Sequence, residues 1–167
     1  MAEEPKPVNE EDLKLLKERM NIIAGADPSQ YHNDFSLRRY LRAFKTVDSS
    51  FQALIKTNKW RVEYGVAELE NDKELIEKYS DRARVLRHRD IHGRPIEEAS
   101  KKCFEEVVDN LCIVFDLNSF TLSCMDYQVL KNLIWLLSRH YPERLGVCLI
   151  INAPAFFSGC WAVIKGW

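Results

Sequence analysis

The sequence predicts an α/β protein in which a helical N-terminal subdomain precedes a lobe with a small mixed or parallel sheet. Two short apolar runs predict the strands, at residues 111–117 and 147–151, because strands covered on both faces carry apolar residues without alternation. A helix is predicted between them, over about residues 125–140. Strand, helix and strand in this order predict a βαβ unit with adjacent parallel strands and a right-handed crossover.

The chain divides into three expected regions. Residues 1–8 are expected to form a flexible tail, residues 9–80 the helical subdomain, and residues 83–167 the α/β lobe. The lobe is predicted to begin with a strand at 83–88 and a turn at 89–95, and a further helix runs to about residue 108.

Capping residues predict where the first three helices begin. Asn9, Asp34 and Asp48 each precede residues with apolar side chains at helical spacing, and their side chains accept hydrogen bonds from helix N-terminal amides. Gly65 is expected to take the left-handed conformation at the end of the third helix. A short fourth helix is predicted over residues 73–79.

The amino-acid composition excludes some classes of function. The chain has 167 residues, a net charge of −1 and 46% hydrophobic residues, which indicates a globular protein without the basic surface that nucleic acid requires. Five cysteines occur at no spacing typical of a metal site, so we expect reduced thiols, a cytoplasmic protein, no metal and no cofactor.

One uncharged stretch has the length of a membrane span, residues 145–164. Asn152 and Pro154 near its middle would break a spanning helix and leave backbone groups unpaired in lipid. A buried strand followed by an apolar helix is therefore the favoured interpretation, and a transmembrane segment the minor one.

The second predicted helix carries a basic face, formed by Arg38, Arg39, Arg42 and Lys45. A solvated helix face is the favoured interpretation, and a surface that contacts anionic lipid headgroups is the alternative. No catalytic residues are predicted, because no nucleophile or nucleotide-binding motif occurs. Asp116, at the end of a predicted strand, is interpreted as a loop anchor in preference to a catalytic carboxylate.

Several motifs together resemble the CRAL-TRIO, or Sec14-like, lipid-binding family. In the helical part the sequence LRRYLRAFK at 37–45, followed by Trp60-Arg61, is similar to the family's N-terminal signature. In the lobe the similar motifs are DIHGRP at 90–95, VFDL at 114–117, YPERL at 141–145 and IINAP at 150–154. They occur in the family's order, from about residue 34 to residue 167.

The resemblance implies a non-enzymatic lipid-binding or lipid-transfer protein whose sheet floors an apolar pocket. The ligand would be a phospholipid such as a phosphoinositide, or another small hydrophobic molecule, and the protein would contact membranes peripherally. A protein-interaction scaffold is the alternative function. Pocket positions are expected on alternate strand residues, on a hydroxylated loop and after the second strand: Ile113, Phe115, Leu149, Ile151, Thr121, Ser123, Phe156, Phe157 and Trp161.

Two departures from the family pattern lead us to expect an incomplete Sec14-like lobe. After Pro95-Ile96 the family continues with a strand, whereas here Glu97 follows directly, and the sequence stops at Trp167. Missing elements would expose strand edges and pocket walls to water. The expectation is a shortened form that binds lipid poorly or not at all.

Overall fold

The structure is a computed structural model that describes residues 6–69, 71–79 and 110–165. A helical part precedes a two-stranded sheet, as the fold class predicts. The elements are α1 Glu10–Ala26, α2 Asp34–Phe44, α3 Val47–Glu63, α4 Val66–Leu69, α5 Lys73–Tyr79, β1 Leu111–Asp116, α6 Tyr127–Arg139, β2 Leu145–Ile151 and α7 Phe157–Ile164, with single turns of 3-10 helix at Pro28–Gln30 and Leu122–Cys124.

Part of the predicted lobe lies outside the described residues. The predicted strand at 83–88, the turn at 89–95 and the helix that runs to about residue 108 lie there. The departure from the family pattern after Ile96 lies there too, as does the residue Trp167. The expected weak lipid binding depends on these positions and stays a prediction.

Caps set the helix starts, and two of them differ from the prediction. The Asn9 side chain accepts a hydrogen bond from the Glu11 amide at 2.8 Å, which confirms that cap. The predicted caps Asp34 and Asp48 are wrong: Asn33 caps α2 and Thr46 caps α3. Both carboxylates lie instead in the first turn, where the helix dipole stabilises negative charge.

The helical core forms where α1, α2 and α3 meet. Leu16, Leu37 and Leu54 are fully buried there, and Tyr40 joins them from α2. Val8 packs against this cluster, so the predicted flexible tail does not extend to this residue. Gly65 takes the left-handed conformation, with φ +57°, which confirms its role after α3.

Strands β1 and β2 are adjacent and parallel, which confirms the predicted βαβ unit. Ile113 pairs with Cys148, and Phe115 with Ile150, whereas Leu149 pairs with Val114. Partners on neighbouring strands share a face, and successive residues alternate between faces. The strand candidates for the pocket therefore divide between the faces of the sheet: Ile113 and Phe115 lie on one face, and Leu149 and Ile151 lie on the other.

The register shifts at the start of the sheet. Leu111 faces Leu145, but Cys112 faces Val147, so Gly146 is an extra residue on β2. A Cβ at Gly146 would lie 2.7 Å from the side-chain Cγ and Oδ1 atoms of Asn110. Any larger residue at this position would therefore displace the Asn110 side chain, because real Cβ atoms do not approach so near.

Gly146→Ala is expected to lower the free energy of unfolding by about 1 kcal/mol, since overpacking displaces a neighbouring group. Urea unfolding would measure the change. Asn110→Ala in the same chain should restore most of the loss, because it removes the atoms that the new methyl group meets. Equal losses in the single and double variants would contradict this explanation.

Among the described residues, no helix is both long and apolar enough to cross a membrane. The uncharged stretch at residues 145–164 forms β2 and α7, with a turn between them that contains Pro154. Strand followed by apolar helix is thus the structure it adopts.

Candidate functional site

Asp116, at the end of β1, forms a hydrogen bond to the residue that follows β2. Its Oδ1 accepts hydrogen bonds from the Asn152 side-chain amide and from the Asn118 backbone amide, each at 2.9 Å. These two bonds, that of Asn152 first, lower the pKa of the Asp116 carboxyl, because they favour the charged form. The interpretation of Asp116 as a loop anchor is confirmed.

Four aromatic rings gather beyond these strand ends, and we call them the strand-end cluster. Phe120, from the loop after β1, lies 6.2 Å from Phe156 and 6.1 Å from Phe157, measured between ring centroids. Trp161 of α7 lies 6.5 Å from Phe157. Ligand sites in open parallel sheets occur outside the carboxyl ends of the strands, so this cluster is a candidate site.

Two residues on one face of β2 and two residues of the strand-end cluster keep much of their surface exposed. Leu149 is 47% exposed and Ile151 44%, and Phe156 and Trp161 are about equally exposed. Parallel strands are normally covered on both faces, so the expectation of fully buried strands is wrong here. The structure instead leaves an apolar surface at the strand ends.

The predicted pocket residues meet only in part. The three aromatic candidates Phe156, Phe157 and Trp161 belong to the strand-end cluster. The hydroxyl oxygens of Thr121 and Ser123 lie 2.7 Å apart on an exposed loop.

The predicted membrane-facing cations do not share one surface. Arg39 is 6% exposed, so the expectation that it faces a membrane is wrong. Arg38 donates two hydrogen bonds to the Glu10 carboxylate, at 2.7 and 2.8 Å. Lys45 is exposed and donates to the Arg42 carbonyl, and Arg42 itself is half-buried. A headgroup contact by Arg38, Arg42 and Lys45 stays a prediction.

The sequence did not predict a second feature, a junction where the helical part meets the end of α6. The Tyr40 hydroxyl lies 2.8 Å from the His140 carbonyl and 2.9 Å from the Thr57 hydroxyl. Thr57 in turn lies 3.0 Å from Nδ1 of His140. Three buried side chains thus close one hydrogen-bonded ring between the helical part and the lobe.

Proton counting fixes the His140 tautomer in this ring. Tyr40 has one hydrogen, and a carbonyl can only accept, so Tyr40 donates to His140 and accepts from Thr57. Thr57 must then accept from Nδ1–H of His140. Burial lowers the pKa of this histidine, which favours the neutral ring. Burial raises the pKa of Tyr40 to about 12, which keeps its hydroxyl a donor.

Aromatic contacts complete the junction. The His140 ring stacks on Trp60 of α3, with centroids 4.3 Å apart, and meets Trp135 edge-on at 4.8 Å. Arg61 donates to the Tyr141 hydroxyl at 3.0 Å. These contacts join residues far apart in sequence.

Two cavities flank His140 at the junction. One has a volume of about 570 Å³, and both aromatic residues, such as Trp60 and Trp135, and polar residues, such as Gln52 and Lys56, line it. The other has a volume of about 250 Å³, and polar side chains line most of it. None of the nine predicted pocket residues lines either cavity.

Two histidines, the half-buried His32 and the buried His140, predict how stability depends on pH. Burial lowers the pKa of His32, against an opposing hydrogen bond to Asn58, and burial together with the charge of Arg139 lowers that of His140. The unfolded chain takes up these protons near pH 6.5, the folded chain only at lower pH. Stability should therefore fall as pH drops below about 6.5.

Urea unfolding across this pH range would measure the effect. His32→Gln should flatten the decline, because glutamine binds no proton in either state. The lowered carboxyl pKa values of Asp27 and Asp116 affect stability only at more acidic pH, below about 4. An equally steep decline in His32→Gln would contradict the assignment.

The fold and the strand-end cluster define an α/β protein that has a helical N-terminal part and a candidate site for an apolar molecule. The sequence profile of the CRAL/TRIO domain matches residues 77–167, just over half of the chain. The chain belongs to the CRAL/TRIO domain family.

Curated relatives agree with this assignment. A CRAL-TRIO domain-containing protein of Schizosaccharomyces pombe is 30% identical over 80% of this chain and 38% of its own length. The phosphatidylinositol transfer protein CSR1 of Eremothecium gossypii is 40% identical over 43% of the chain and 16% of its own length. The Sec14 cytosolic factor of Schizosaccharomyces pombe is 28% identical over 81% of the chain and 62% of its own length. The matches thus span less than two thirds of each relative.

Proposed function

We propose that this chain binds a lipid or another small hydrophobic molecule at the carboxyl ends of β1 and β2, and passes it between membranes. The observation that carries the proposal is the exposure of Leu149 and Ile151, which share one face of β2, together with that of Phe156 and Trp161, which follow β2 in the chain. Covering apolar surface stabilises a complex by about 25 cal/mol per Å² removed from water. An acyl chain supplies such a cover.

Family membership supports the lipid as occupant. The Eremothecium gossypii relative is by name a phosphatidylinositol transfer protein, so phosphatidylinositol is the first lipid to test. Thr121 and Ser123 at the same edge offer hydroxyl groups to a polar headgroup. The predicted weak lipid binding concerns the amount of lipid bound and does not alter the proposed place.

Mass spectrometry of the purified protein tests this proposal. Protein exposed to phosphatidylinositol vesicles and then purified under native conditions should carry detectable lipid, in a small amount if the predicted weak binding holds. Ile151→Asp should lose that lipid, because it places a charge on the apolar surface. Ile22→Asp is the matched control, since Ile22 is an exposed isoleucine on α1, and it should keep the lipid.

Two outcomes would overturn the proposal. One is wild-type protein without any bound lipid after exposure to phosphatidylinositol vesicles. The other is equal lipid content in Ile151→Asp and wild type. Lipid-free protein that instead retains one protein partner, through the same residue, would favour an interaction scaffold.

A further inference from the structure

The larger junction cavity is a site that the proposed lipid function does not use. Its volume of about 570 Å³ lies within the range of pockets for small molecules, about 300–1,000 Å³. Residues from the end of α2 and from α3 line one side, and residues from the end of α6 line the other. The cavity is therefore large enough for an organic molecule.

Three aromatic side chains line this cavity: Phe44 at the end of α2, Trp60 of α3 and Trp135 of α6. Trp135 is 48% exposed, so part of its indole ring remains open to contact. Aromatic rings pack against each other in offset or edge-to-face arrangements. The cavity therefore suits a ligand that contains an aromatic ring.

A buried hydrogen-bond acceptor also lines the cavity. His140 is 8% exposed and lines both junction cavities. Its Nδ1 lies next to Thr57, which lines the smaller one, and Nε2 lies on the other side of the ring. In the neutral ring Nε2 can only accept, and no group in the described part of the chain donates to it.

This orphaned nitrogen indicates what the ligand must supply. Buried polar groups normally have a hydrogen-bond partner, and a lone pair requires an O–H or N–H group. Burial, together with the charge of Arg139, lowers the pKa of His140, which keeps Nε2 unprotonated. A ligand with a hydroxyl group would therefore satisfy it.

Two cations that line this cavity, Lys56 and Arg139, form no ion pair with a carboxylate among the described residues. Asp48 also lines the cavity, but its Oδ1 lies 2.5 Å from Nη1 of Arg19, which balances its charge. Glu143, four positions after Arg139, forms no ion pair in the described part of the chain. An anionic group in the cavity would thus meet two unpaired positive charges.

We propose that this cavity binds a small aromatic acid that also carries a hydroxyl group. The ring of the ligand packs against Trp60 and Trp135, and its hydroxyl group donates to Nε2 of His140. Its carboxylate accepts hydrogen bonds from Lys56 and Arg139. None of these residues belongs to the strand ends, so the failure of either site would leave the other untouched.

Titration with 4-hydroxyphenylacetate, followed by ligand-observed NMR, tests the proposal. Wild type should bind this probe saturably. Phenylacetate lacks the hydroxyl group and should bind about fivefold more weakly, which corresponds to one net hydrogen bond. Tyramine carries an ammonium group in place of the carboxylate, and it should bind more weakly still because two cations line the cavity.

Lys56→Gln should bind 4-hydroxyphenylacetate about tenfold more weakly than wild type, because it removes a charge-assisted hydrogen bond. Lys59→Gln is the matched control, since Lys59 is an exposed cation on the same helix that pairs with Glu63, and it should bind like wild type. His140→Asn removes Nε2 but keeps an amide towards Thr57, so it should bind the two acids equally.

The two acids test the same hydrogen bond in wild type should His140→Asn fail to fold. Three results would each overturn the proposal. The first is the absence of saturable binding by wild type, and the second is equal affinity of wild type for 4-hydroxyphenylacetate and phenylacetate. The third is equal affinity of Lys56→Gln and wild type for 4-hydroxyphenylacetate.

Discussion

Leu54→Ala is expected to lower the free energy of unfolding by about 2–5 kcal/mol, the range found when a buried leucine is truncated. Leu54 is fully buried and belongs to the cluster that α1, α2 and α3 form. The substitution removes apolar contacts and leaves a cavity that the surrounding helices fill only partly. Since the free energy of unfolding of a whole protein is only about 5–15 kcal/mol, this would be a large fraction of it.

Leu15→Ala provides the control for that experiment. Leu15 is 51% exposed on α1, and exposed substitutions usually change stability by less than about 0.5 kcal/mol. Chemical denaturation of both variants, monitored by far-UV circular dichroism, would measure the difference. Similar losses in the two variants would contradict the assignment of Leu54 to the core.

Tyr40→Phe should lower the free energy of unfolding by about 1–3 kcal/mol, because it leaves buried polar groups without a partner. The His140 carbonyl loses its donor, and the Thr57 hydroxyl loses its acceptor. The phenyl ring keeps its packing in the helical core. The loss therefore reports on the hydrogen-bonded ring that joins the helical part to the lobe.

Tyr64→Phe is the matched control, since Tyr64 is 69% exposed at the end of α3. This substitution also removes a hydroxyl group, but it should change the free energy of unfolding little because the group is exposed. A double-mutant cycle with Thr57→Val isolates the coupling between Tyr40 and Thr57. Strictly additive losses would show that the two hydroxyl groups do not act together, which contradicts the ring described here.

Local sequence patterns predicted the helices and strands. They could not predict contacts between residues that are far apart in the sequence. The apolar runs of β1 and β2 and the helix between them depend on neighbouring residues, and their adjacency follows from connection rules that hold for almost all βαβ units. Thr57 and His140, in contrast, are 83 positions apart. No periodicity links two such residues, so the junction needed the structure.

The errors have physical causes. Asn33 and Asp34 are both favourable N-caps, and the sequence does not say which one takes the extended conformation. The faces of the strand residues depend on the extra residue Gly146, and strands that are apolar on both faces do not specify register by pattern alone. For the candidate site, the aromatic residues Phe156, Phe157 and Trp161 lie close together, and the two pairs of strand candidates lie on opposite faces of the sheet. Their role in lipid binding stays a prediction.

Transfer of fluorescent phosphatidylinositol from donor to acceptor vesicles tests the central claim most directly, that the strand ends carry a lipid. We expect transfer above the spontaneous rate for wild type and for Ile22→Asp, and transfer at the spontaneous rate for Ile151→Asp. The comparison between variants holds whether the wild-type rate is slow or fast. Equal rates for Ile151→Asp and wild type would contradict the claim, because lipid would then move without the apolar surface at the strand ends.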